Sequence, residues 1–403
     1  MSSSSQTAPT ITRQVNMATA MSAFWSGKTM TTNDVMDVTD LTRVTAHAVC
    51  DDLIARGWIL EARDNGQRTR GRPSRNFQLN REAGYVLGID LAGEHMSVVI
   101  ADLAGESHYS HGFDLSDFSV RRRQRTLPRV LAESLESAHI SSDQILAAGV
   151  GLSAPVSRDA TVIGRDNERV DRLWSGIRRD ARTVRNALEG VPVLLANDAS
   201  LAVLGERWRG VAHGVDDIIV LLAAEGLGAG VMENGRILHG ASGGAGEMRW
   251  LDLVDSVMGP DGVSKTARMW AREAVRSGAT SDLLDSTAGD VDSITGEMVF
   301  EAAAQGDAVA VAVVDRLAAS MAQVIWMTST LLDPSMIVIA GADGGAESLL
   351  PTRVGAGLAR LPGTPPRVVW SSLGKMVVAI GAVRFALNHV QTNFLDIRLA
   401  NHS

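Results

Sequence analysis

Cysteines, long apolar runs and signal-peptide features are scarce or missing in this sequence. Cys50 is the only cysteine among the 403 residues, which excludes an internal disulfide and a cysteine-rich zinc cluster. No uninterrupted apolar run approaches the ~20 residues that cross a bilayer, and the polar first ten residues lack the features of a secretory signal. These absences predict a cytoplasmic protein without a membrane segment. The length predicts two or three domains.

Positive charge is also scarce over the whole chain, but it is concentrated near the start. The formal net charge is −8, which argues against a nucleic-acid binder. Residues 1–80, however, carry nine Lys/Arg against seven Asp/Glu, and between Arg56 and Arg75 six arginines face two acids. DNA binding depends on a local basic surface rather than on the average charge. The first 80 residues are therefore compatible with DNA binding.

Two short helices are predicted between residues 31 and 57, the first of them capped by residues 32–34. In the second helix, apolar residues recur at i, i+3, i+4 and i+7 and define one buried face: Ala46, Val49, Cys50 and Leu53. The opposite face carries small polar or basic side chains that suit base edges and phosphates: Thr42, Arg43, Thr45 and His47. This pattern predicts a helix-turn-helix whose second helix reads DNA. The alternative is a solvated surface helix.

An arginine-rich segment between two short strand candidates predicts a β wing after these helices. The candidates are residues 58–60 and 76–79, and the segment between them includes EARDNGQRTRGRPSR. Gly71-Arg72-Pro73 would hold an arginine on an extended, rigid backbone that suits a narrow minor groove. The arginines expected to contact DNA are Arg68, Arg70, Arg72 and Arg75. The alternative is a disordered basic loop.

Residues 81–403 read as a duplicated α/β unit. YVLGIDLAG and HMSVVIADLAGE form a pair of strands joined by a glycine turn, and a similar pair recurs about 130 residues later as IIVLLAAEGLGAGVMENG. Such a duplication implies two lobes with a cleft between them. Strand and helix candidates alternate, which makes α/β the fold class. The predicted helix at residues 120–138 is expected to be interrupted at Pro128.

The order of these motifs resembles the ROK family, which comprises sugar kinases and sugar-responsive transcriptional repressors. The resemblance lies in GRPSRNFQLN, YVLGIDLAG, GVGLSAPV, ANDASLAVLGE, GLGAG, GGAGE and IVIAGA. The kinases of that family lack a DNA-binding portion, so its presence points to the repressor branch.

The resemblance implies an N-terminal winged helix-turn-helix, mostly α with a β wing, followed by a bilobal α/β ROK domain. The expected fold of that domain is the actin/hexokinase-like, ribonuclease-H-type fold, and the expected assembly is a homodimer or homotetramer. The expected domains are residues 1–80 for DNA binding, 81–200 for the first lobe and 201–403 for the second lobe. A C-terminal helix at about 376–390 is expected to pack back on the first lobe.

By the same resemblance, Asp198 occupies the position of the general base with which the kinases take a proton from a sugar hydroxyl. Asn197 and Asp198 also precede a helix candidate, so capping that helix and binding a ligand hydroxyl are alternatives. Glu94 and Glu225 flank the glycines of the two phosphate loops. A like-charge contact at ~4 Å and an effective dielectric of ~20 costs about 4 kcal/mol. ATP binding and kinase activity are therefore not expected, unless these glutamates point to solvent or Mg²⁺ offsets them.

The zinc and sugar motifs of the family are also altered. The family's run after GGAGE ends in a histidine, whereas here it reads Met248-Arg249-Trp250, and residues 251–267 contain no cysteine. Zinc requires thiolate or imidazole ligands, so neither zinc nor another cofactor is expected. The groups expected to bind a sugar or polyol in the cleft are Asn167, Asn197, Asp198, Glu247 and Trp250. The alternative is a vestigial cleft.

The sequence therefore predicts a sequence-specific DNA-binding transcriptional regulator without enzymatic activity, and it favours a repressor. Its expected partners are double-stranded operator DNA, a sugar effector and further copies of itself, with no membrane contact. One alternative is an ATP-dependent sugar kinase with an accessory DNA-binding domain. Another is a ligand-independent DNA-binding protein that uses the large domain only to oligomerise.

Overall fold

The computed structural model describes nine stretches of the chain. Within them the protein has an N-terminal unit of helices with a small sheet, followed by two lobes that each contain a five-stranded sheet. This mixture of helices and sheets confirms the predicted α/β class of the large domain. The described stretches are residues 8–62, 75–91, 95–115, 119–162, 168–224, 226–249, 251–254, 257–341 and 346–399.

The N-terminal unit combines three helices with three short antiparallel strands in residues 8–62 and 75–79. Capping side chains set the helix starts: Thr31 and Asp34 form a capping box, and Thr42 accepts the backbone N–H of Thr45. The last strand in sequence lies at the centre of the sheet. In chain order the elements are α1 (Ala8–Phe24), β1 (Met30–Thr31), α2 (Thr32–Thr39), α3 (Arg43–Ala55), β2 (Ile59–Ala62) and β3 (Asn76–Leu79).

Helices α1 and α3 bury their apolar faces in one core. The predicted buried face of α3 is confirmed in all four residues. Helix α1 is missing from the sequence predictions, although its buried residues have the same i, i+3, i+4, i+7 spacing. They are Met17, Ala20, Met21 and Phe24.

The first lobe is built on a mixed five-stranded sheet. One of its strands, residues 145–152, is buried along its whole length, as expected for a strand covered on both faces. The polar edge strand at residues 107–114 is missing from the sequence predictions. The helix at residues 120–137 continues through Pro128, so the predicted interruption is wrong. The elements are β4 (Tyr85–Leu91), β5 (His95–Asp102), β6 (Ser107–Asp114), α4 (Val120–Ser137), β7 (Ile145–Leu152), α5 (Glu168–Ala187) and β8 (Val193–Asn197).

The second lobe contains a similar sheet and more helices. Its core lies between the sheet and the helices that follow the first hairpin. The elements are α6 (Asp198–Arg209), β9 (Ile218–Ala223), β10 (Leu227–Glu233), β11 (Arg236–Ile237), α7 (Val263–Arg276), α8 (Leu283–Ser286), α9 (Gly296–Gln305), α10 (Ala308–Leu332), β12 (Met336–Ala340), α11 (Ala346–Leu358), β13 (Val368–Trp370) and α12 (Val377–Asn393).

The two large sheets have the same topology. The strand order is β6-β5-β4-β7-β8 in the first lobe and β11-β10-β9-β12-β13 in the second. In each lobe an antiparallel hairpin comes first, and two later strands then extend the sheet in parallel with the first strand of that hairpin. The carboxyl ends of such parallel strands meet at one edge of the sheet, where ligands commonly bind.

Helices α6 and α12 cross closely because glycines line their contacts. Helix α6 packs on β9 and β10, and α12 packs on β4 and β7. A Cβ atom at Gly381 would lie 1.8 Å from the Leu201 carbonyl oxygen, and one at Gly149 would lie 2.3 Å from the Ala382 carbonyl oxygen. Only glycine permits such close backbone approach. Because α6 begins at Asp198, the expected lobe boundary at residue 200 falls inside this helix.

The N-terminal unit shares a hydrophobic core with the first lobe and the end of α12. The Phe394 ring lies edge-on to two tryptophans, with centroids 5.7 Å from Trp58 and 6.3 Å from Trp25. The Arg56 guanidinium donates to the Leu395 carbonyl oxygen at 3.4 Å. The end of α12 therefore holds the N-terminal unit against the first lobe.

Helix α10 is, among the described residues, the one helix long and apolar enough to cross a membrane by length and composition alone. Asp315 and Arg316 interrupt its apolar sequence, and the helix packs on α7, α9 and α11. Val314, Leu317 and Ile325 are fully buried in the second-lobe core. This is the burial of a central core helix.

Candidate functional sites

The first candidate site is the N-terminal end of α3. Thr42 caps the helix, and its hydroxyl lies 3.0 Å from that of Thr45. Arg43 is exposed and donates from Nη2 to the Asn33 side-chain oxygen at 2.7 Å, which fixes the guanidinium between α2 and α3. Thr45 and His47 are partly exposed on the same end of the helix. The structure thus brings together the four residues predicted on this helix.

Val44 was not predicted at this site because it is apolar. Its side chain is 81% exposed at the first turn of α3, beside Arg43. An exposed valine at this position has no packing role, and an apolar group there suits the methyl group of thymine. Its exposure is the property that a sequence pattern does not reveal.

Of the four arginines predicted to contact DNA from the wing, only Arg75 lies within the described residues. Arg68, Arg70 and Arg72 lie outside the described residues. The Arg75 guanidinium contacts Asp51 of α3 at 2.8 Å and Glu61 of β2 at 3.0 Å, and hydrogen bonds to these carboxylates raise its pKa. Arg75 therefore links the small sheet to α3, an internal role that was not predicted.

The second candidate site lies at the carboxyl ends of β7 and β8. These strands are parallel neighbours, with Leu152 opposite Asn197, so the loops that follow them meet. Ser153 donates its hydroxyl hydrogen to Asp198 Oδ2 at 2.6 Å. Asn197 caps α6 by accepting the Ser200 N–H at 3.1 Å, and its amide donates to the Ala154 carbonyl oxygen at 3.3 Å. Asn197 is thus committed to structure, as in the capping alternative.

Burial raises the pKa of Asp198 to about 6. The hydrogen bonds from Ser153 and from the Ala199 N–H oppose this shift, and the nearby charge of Glu247 adds to it. A carboxyl group that titrates near neutral pH can either accept or hold a proton under physiological conditions.

Replacing Asp198 by asparagine is expected to change how stability depends on pH. The folded pKa of about 6 lies above the ordinary value of 3.8, so the folded state binds the proton more tightly than the unfolded state. The cost of the buried charge is fully present above pH 6 and disappears as the pH falls towards 4. A shift of about two pKa units corresponds to about 3 kcal/mol in the free energy of unfolding. This cost is an upper bound, because the carboxyl group is only partly buried.

Urea unfolding at several pH values tests this expectation. Asp198→Asn should gain stability over the parent above pH 6 and lose that advantage near pH 4. The exposed Asp285→Asn is the matched control and should follow the parent. A difference in the free energy of unfolding between the parent and Asp198→Asn that is the same at every pH would contradict the buried-charge explanation.

The glycine loop of the second lobe forms the facing wall of the cleft. Gly243 has a φ of +75°, and a Cβ atom there would lie 2.2 Å from the Val156 carbonyl oxygen of the first lobe. The loop therefore requires glycine both for its conformation and for its contact with the first lobe. Glu247 follows in this loop, and its Oε1 atom accepts the Arg249 backbone N–H at 3.0 Å. The charge of Glu247 contributes to raising the pKa of Asp198, so these two predicted cleft residues lie within electrostatic reach of each other.

Other predicted cleft features lie outside the described residues, namely Asn167, Trp250, Glu94 and Glu225. Within the described part of the chain, no three His, Cys, Asp or Glu side chains are grouped so that they could hold a metal ion.

Three residues of the cleft were not predicted: Ser153, Trp174 and Arg249. Trp174 of α5 is 1% exposed, and the Arg249 guanidinium carbon lies 5.2 Å from its ring centroid. Arg249 Nε is also 4.0 Å from Glu247 Oε1. Contacts between residues so far apart in sequence have no local signal, so only the fold reveals them.

Comparison with known proteins places these sites in a family context. The model of the ROK family matches residues 86–389. The xylose repressor of Caldicellulosiruptor bescii is 24% identical over 82% of this chain and 84% of its own length. The glucokinase of Halalkalibacterium halodurans is 28% identical over 66% of this chain and 82% of its own length. Repressors and kinases are thus both among the relatives.

Two solved structures differ in how much of the chain they match. A ROK family transcriptional regulator, a homolog of the E. coli MLC protein, superposes with a TM-score of 0.71 at 22% identity, covering 95% of this chain and 98% of its own. A ROK family glucokinase from Streptomyces griseus, in complex with glucose and AMPPNP, gives a TM-score of 0.61 at 23% identity, covering 76% of this chain and 100% of its own. Residues 81–403 make up about 80% of the chain. The regulator's match must therefore extend into the N-terminal unit, whereas the kinase's match can be accommodated without it.

Proposed function

The chain belongs to the ROK family, and on that premise we propose that it is a cytoplasmic, sequence-specific DNA-binding repressor whose interlobe cleft binds a sugar or sugar-derived effector. The observation that carries this proposal is the N-terminal unit, which presents the exposed start of α3. This unit lies outside the region that the family model matches.

The arrangement of α2 and α3 supports DNA binding through a helix-turn-helix. In such motifs the N-terminal residues of the second helix contact base edges in the major groove. Here the start of α3 presents Thr42, Arg43 and Val44 at its surface. The small sheet β1-β3-β2, with the arginine-rich residues 63–74 between β2 and β3, corresponds to a wing. Arginines suit phosphates and narrow minor grooves.

The packing of the N-terminal unit supports a link between effector and DNA. Asp198 begins α6, which crosses α12, and the end of α12 packs on Trp58 through Phe394. Because α12 packs on the first-lobe sheet and shares a core with the N-terminal unit, a change in lobe closure would move the first lobe, α12 and the reader helix together relative to the second lobe. In a homodimer or homotetramer this motion would alter the distance between two reader helices that bind half-sites about one or two DNA turns apart.

Arg43→Ala and Val44→Asp are expected to weaken binding to cognate DNA, by about tenfold or more for each. Arg43→Ala removes a base or phosphate contact, and Val44→Asp adds a negative charge that repels the DNA phosphates. Genome-wide mapping of bound sites identifies the cognate fragment, and gel retardation at moderate salt measures the affinity. Arg360→Ala, at an exposed arginine of the second lobe, is the matched control.

Two outcomes would overturn the DNA-binding proposal. One is parental retardation of the mapped fragment by both α3 variants, and the other is an absence of reproducible bound sites in the genome.

A sugar kinase is the second candidate, favoured by the near-neutral pKa of Asp198 and by the glucokinase relatives. A coupled assay with ATP and a panel of sugars tests it. Sugar-dependent turnover that disappears in Asp198→Asn would establish this candidate instead.

A further inference from the structure

Two buried hydrogen-bond donors lie side by side where α5 meets the end of the glycine loop. The indole Nε1 of Trp174 and the Nε of Arg249 are both buried, and neither has an acceptor among the residues that the structure describes. The Arg249 guanidinium carbon is 5.2 Å from the Trp174 ring centroid, so the two donors share one environment. Indole and guanidinium groups can donate but cannot accept hydrogen bonds.

The carboxylate of Glu247 does not satisfy this pair. Its Oε1 atom lies 4.0 Å from Arg249 Nε, beyond hydrogen-bonding distance, and already accepts the Arg249 backbone N–H at 3.0 Å. Buried polar groups in native proteins nearly always find a partner. A buried donor pair of this kind is therefore a place where a ligand would supply the acceptor.

A second cation lies at the same contact between the lobes. Arg158 belongs to the first-lobe segment that meets Gly243. Burial lowers the pKa of His239, and the positive charge of Arg158 lowers it further. His239 precedes the glycine loop, and its carbonyl oxygen accepts the Ala245 N–H at 3.3 Å. Two arginines thus place positive charge on this wall of the cleft.

We propose that the effector carries an oxyanion, a phosphoryl or carboxylate group, which accepts hydrogen bonds from Arg249 and Trp174 while its hydroxyl groups reach Asp198 and Glu247. This inference rests on the proposed effector site and specifies the class of its ligand. The planar guanidinium suits both oxyanions. The carboxyl groups of Asp198 and Glu247 suit donors, as sugar hydroxyls are. The site thus combines the donors of Arg249 and Trp174 with the acceptors of Asp198 and Glu247.

Inorganic phosphate provides a test that does not require the effector to be known. At millimolar concentration it is expected to raise the unfolding temperature of the full-length protein by roughly 2 °C relative to chloride at equal ionic strength. Arg249→Gln, which keeps much of the side chain but removes its charge, should lose this response. Trp174→Phe, which keeps the packing but removes the N–H, should reduce it. Arg249→Lys should retain part of the phosphate-induced rise in unfolding temperature, and the control Arg360→Gln should retain all of it.

Calorimetry with matched sugars separates the sources of the oxyanion. Glucose, glucose 6-phosphate and glucuronate, and the same set built on N-acetylglucosamine, compare a neutral, a phosphorylated and a carboxylated form of one ring. At least one anionic form is expected to bind about tenfold tighter than its neutral partner. Arg249→Gln should remove that preference.

The outcomes distinguish this inference from the proposed function. Equal or tighter binding of neutral sugars, with no phosphate response, would overturn the oxyanion while leaving the effector site in place. If neither phosphate nor any sugar binds, both the oxyanion proposal and the proposed effector site are wrong. The DNA-binding result is independent of either.

Discussion

Gly381→Ala is expected to prevent the two lobes from packing and to cost on the order of 3 kcal/mol or more in the free energy of unfolding. The added methyl group would lie 1.8 Å from the Leu201 carbonyl oxygen and 3.1 Å from the Gly205 backbone nitrogen. Both atoms belong to the backbone of α6, so no side chain can turn away to make room. Helices α6 and α12 would have to separate.

The consequence extends beyond one crossing because α12 also packs on the first sheet. A Cβ atom at Gly88 of β4 would lie 2.1 Å from the Ala379 carbonyl oxygen, so this face of α12 has no free space either. Since α12 is held by α6 on one side and by the sheet on the other, it cannot shift as a rigid body without losing one of these contacts.

A matched glycine elsewhere separates this steric effect from helix propensity. Gly355 lies in α11 with nothing within 4 Å of an added Cβ atom. Alanine favours a helix over glycine by about 1 kcal/mol, so Gly355→Ala should be as stable as the parent or slightly more so. Thermal unfolding followed by circular dichroism compares the two variants. Unfolding midpoints of Gly381→Ala and Gly355→Ala that agree within about two degrees would contradict the close crossing.

Phe394→Ala is expected to release the N-terminal unit from the body and to weaken DNA binding by about tenfold or more. Its ring is 3% exposed and packs edge-on against Trp25 and Trp58, which belong to the N-terminal unit. Removing a buried phenylalanine typically costs about 3–5 kcal/mol. Most of that loss falls on the contact between the unit and the body, because Phe394 ends α12 rather than crossing a sheet.

Proteolysis can distinguish release of the N-terminal unit from unfolding of the whole protein. Limited proteolysis should cut the variant near residue 80 at a protein concentration where the parent is intact, while the two-lobed body keeps its secondary structure. Gel retardation should show a loss of affinity of about tenfold or more, since the reader helices of an oligomer would no longer be held at a fixed distance. Leu331→Ala, at a leucine that is 80% exposed, is the control. Parental proteolysis and affinity in Phe394→Ala would show that the aromatic contact does not hold the unit.

Local patterns in the sequence predicted the features that depend on local physics. The buried face of α3 follows from helical spacing, and the capping role of Asn197 follows from a side chain that satisfies a free backbone N–H group. The same spacing rule would have found α1. Edge strand β6 has the sequence SHYSHGFD, whose polar and exposed residues give no alternating apolar signal, so the rule could not find it.

The candidate cleft was predicted only in part because its contacts join distant segments. Asp198 and Glu247 were predicted from motifs. Ser153 pairs with Asp198 across 45 positions, and Trp174 meets Arg249 across two lobes. Neither pairing leaves a pattern in the intervening sequence. Arg75 was interpreted as a DNA contact because its charge is visible in the sequence, whereas the carboxylates that bind it are not adjacent to it.

The sequence by itself determined the α/β class, the family and the buried face of α3, since these follow from residue periodicity and short motifs. Only the tertiary structure decided that Phe394 joins the N-terminal unit to α12, that α12 crosses α6 through Gly381, and that the buried donors of Trp174 and Arg249 lie close together. Burial, close approach and unmet hydrogen bonds depend on which surfaces meet, and which surfaces meet is a property of the folded chain as a whole.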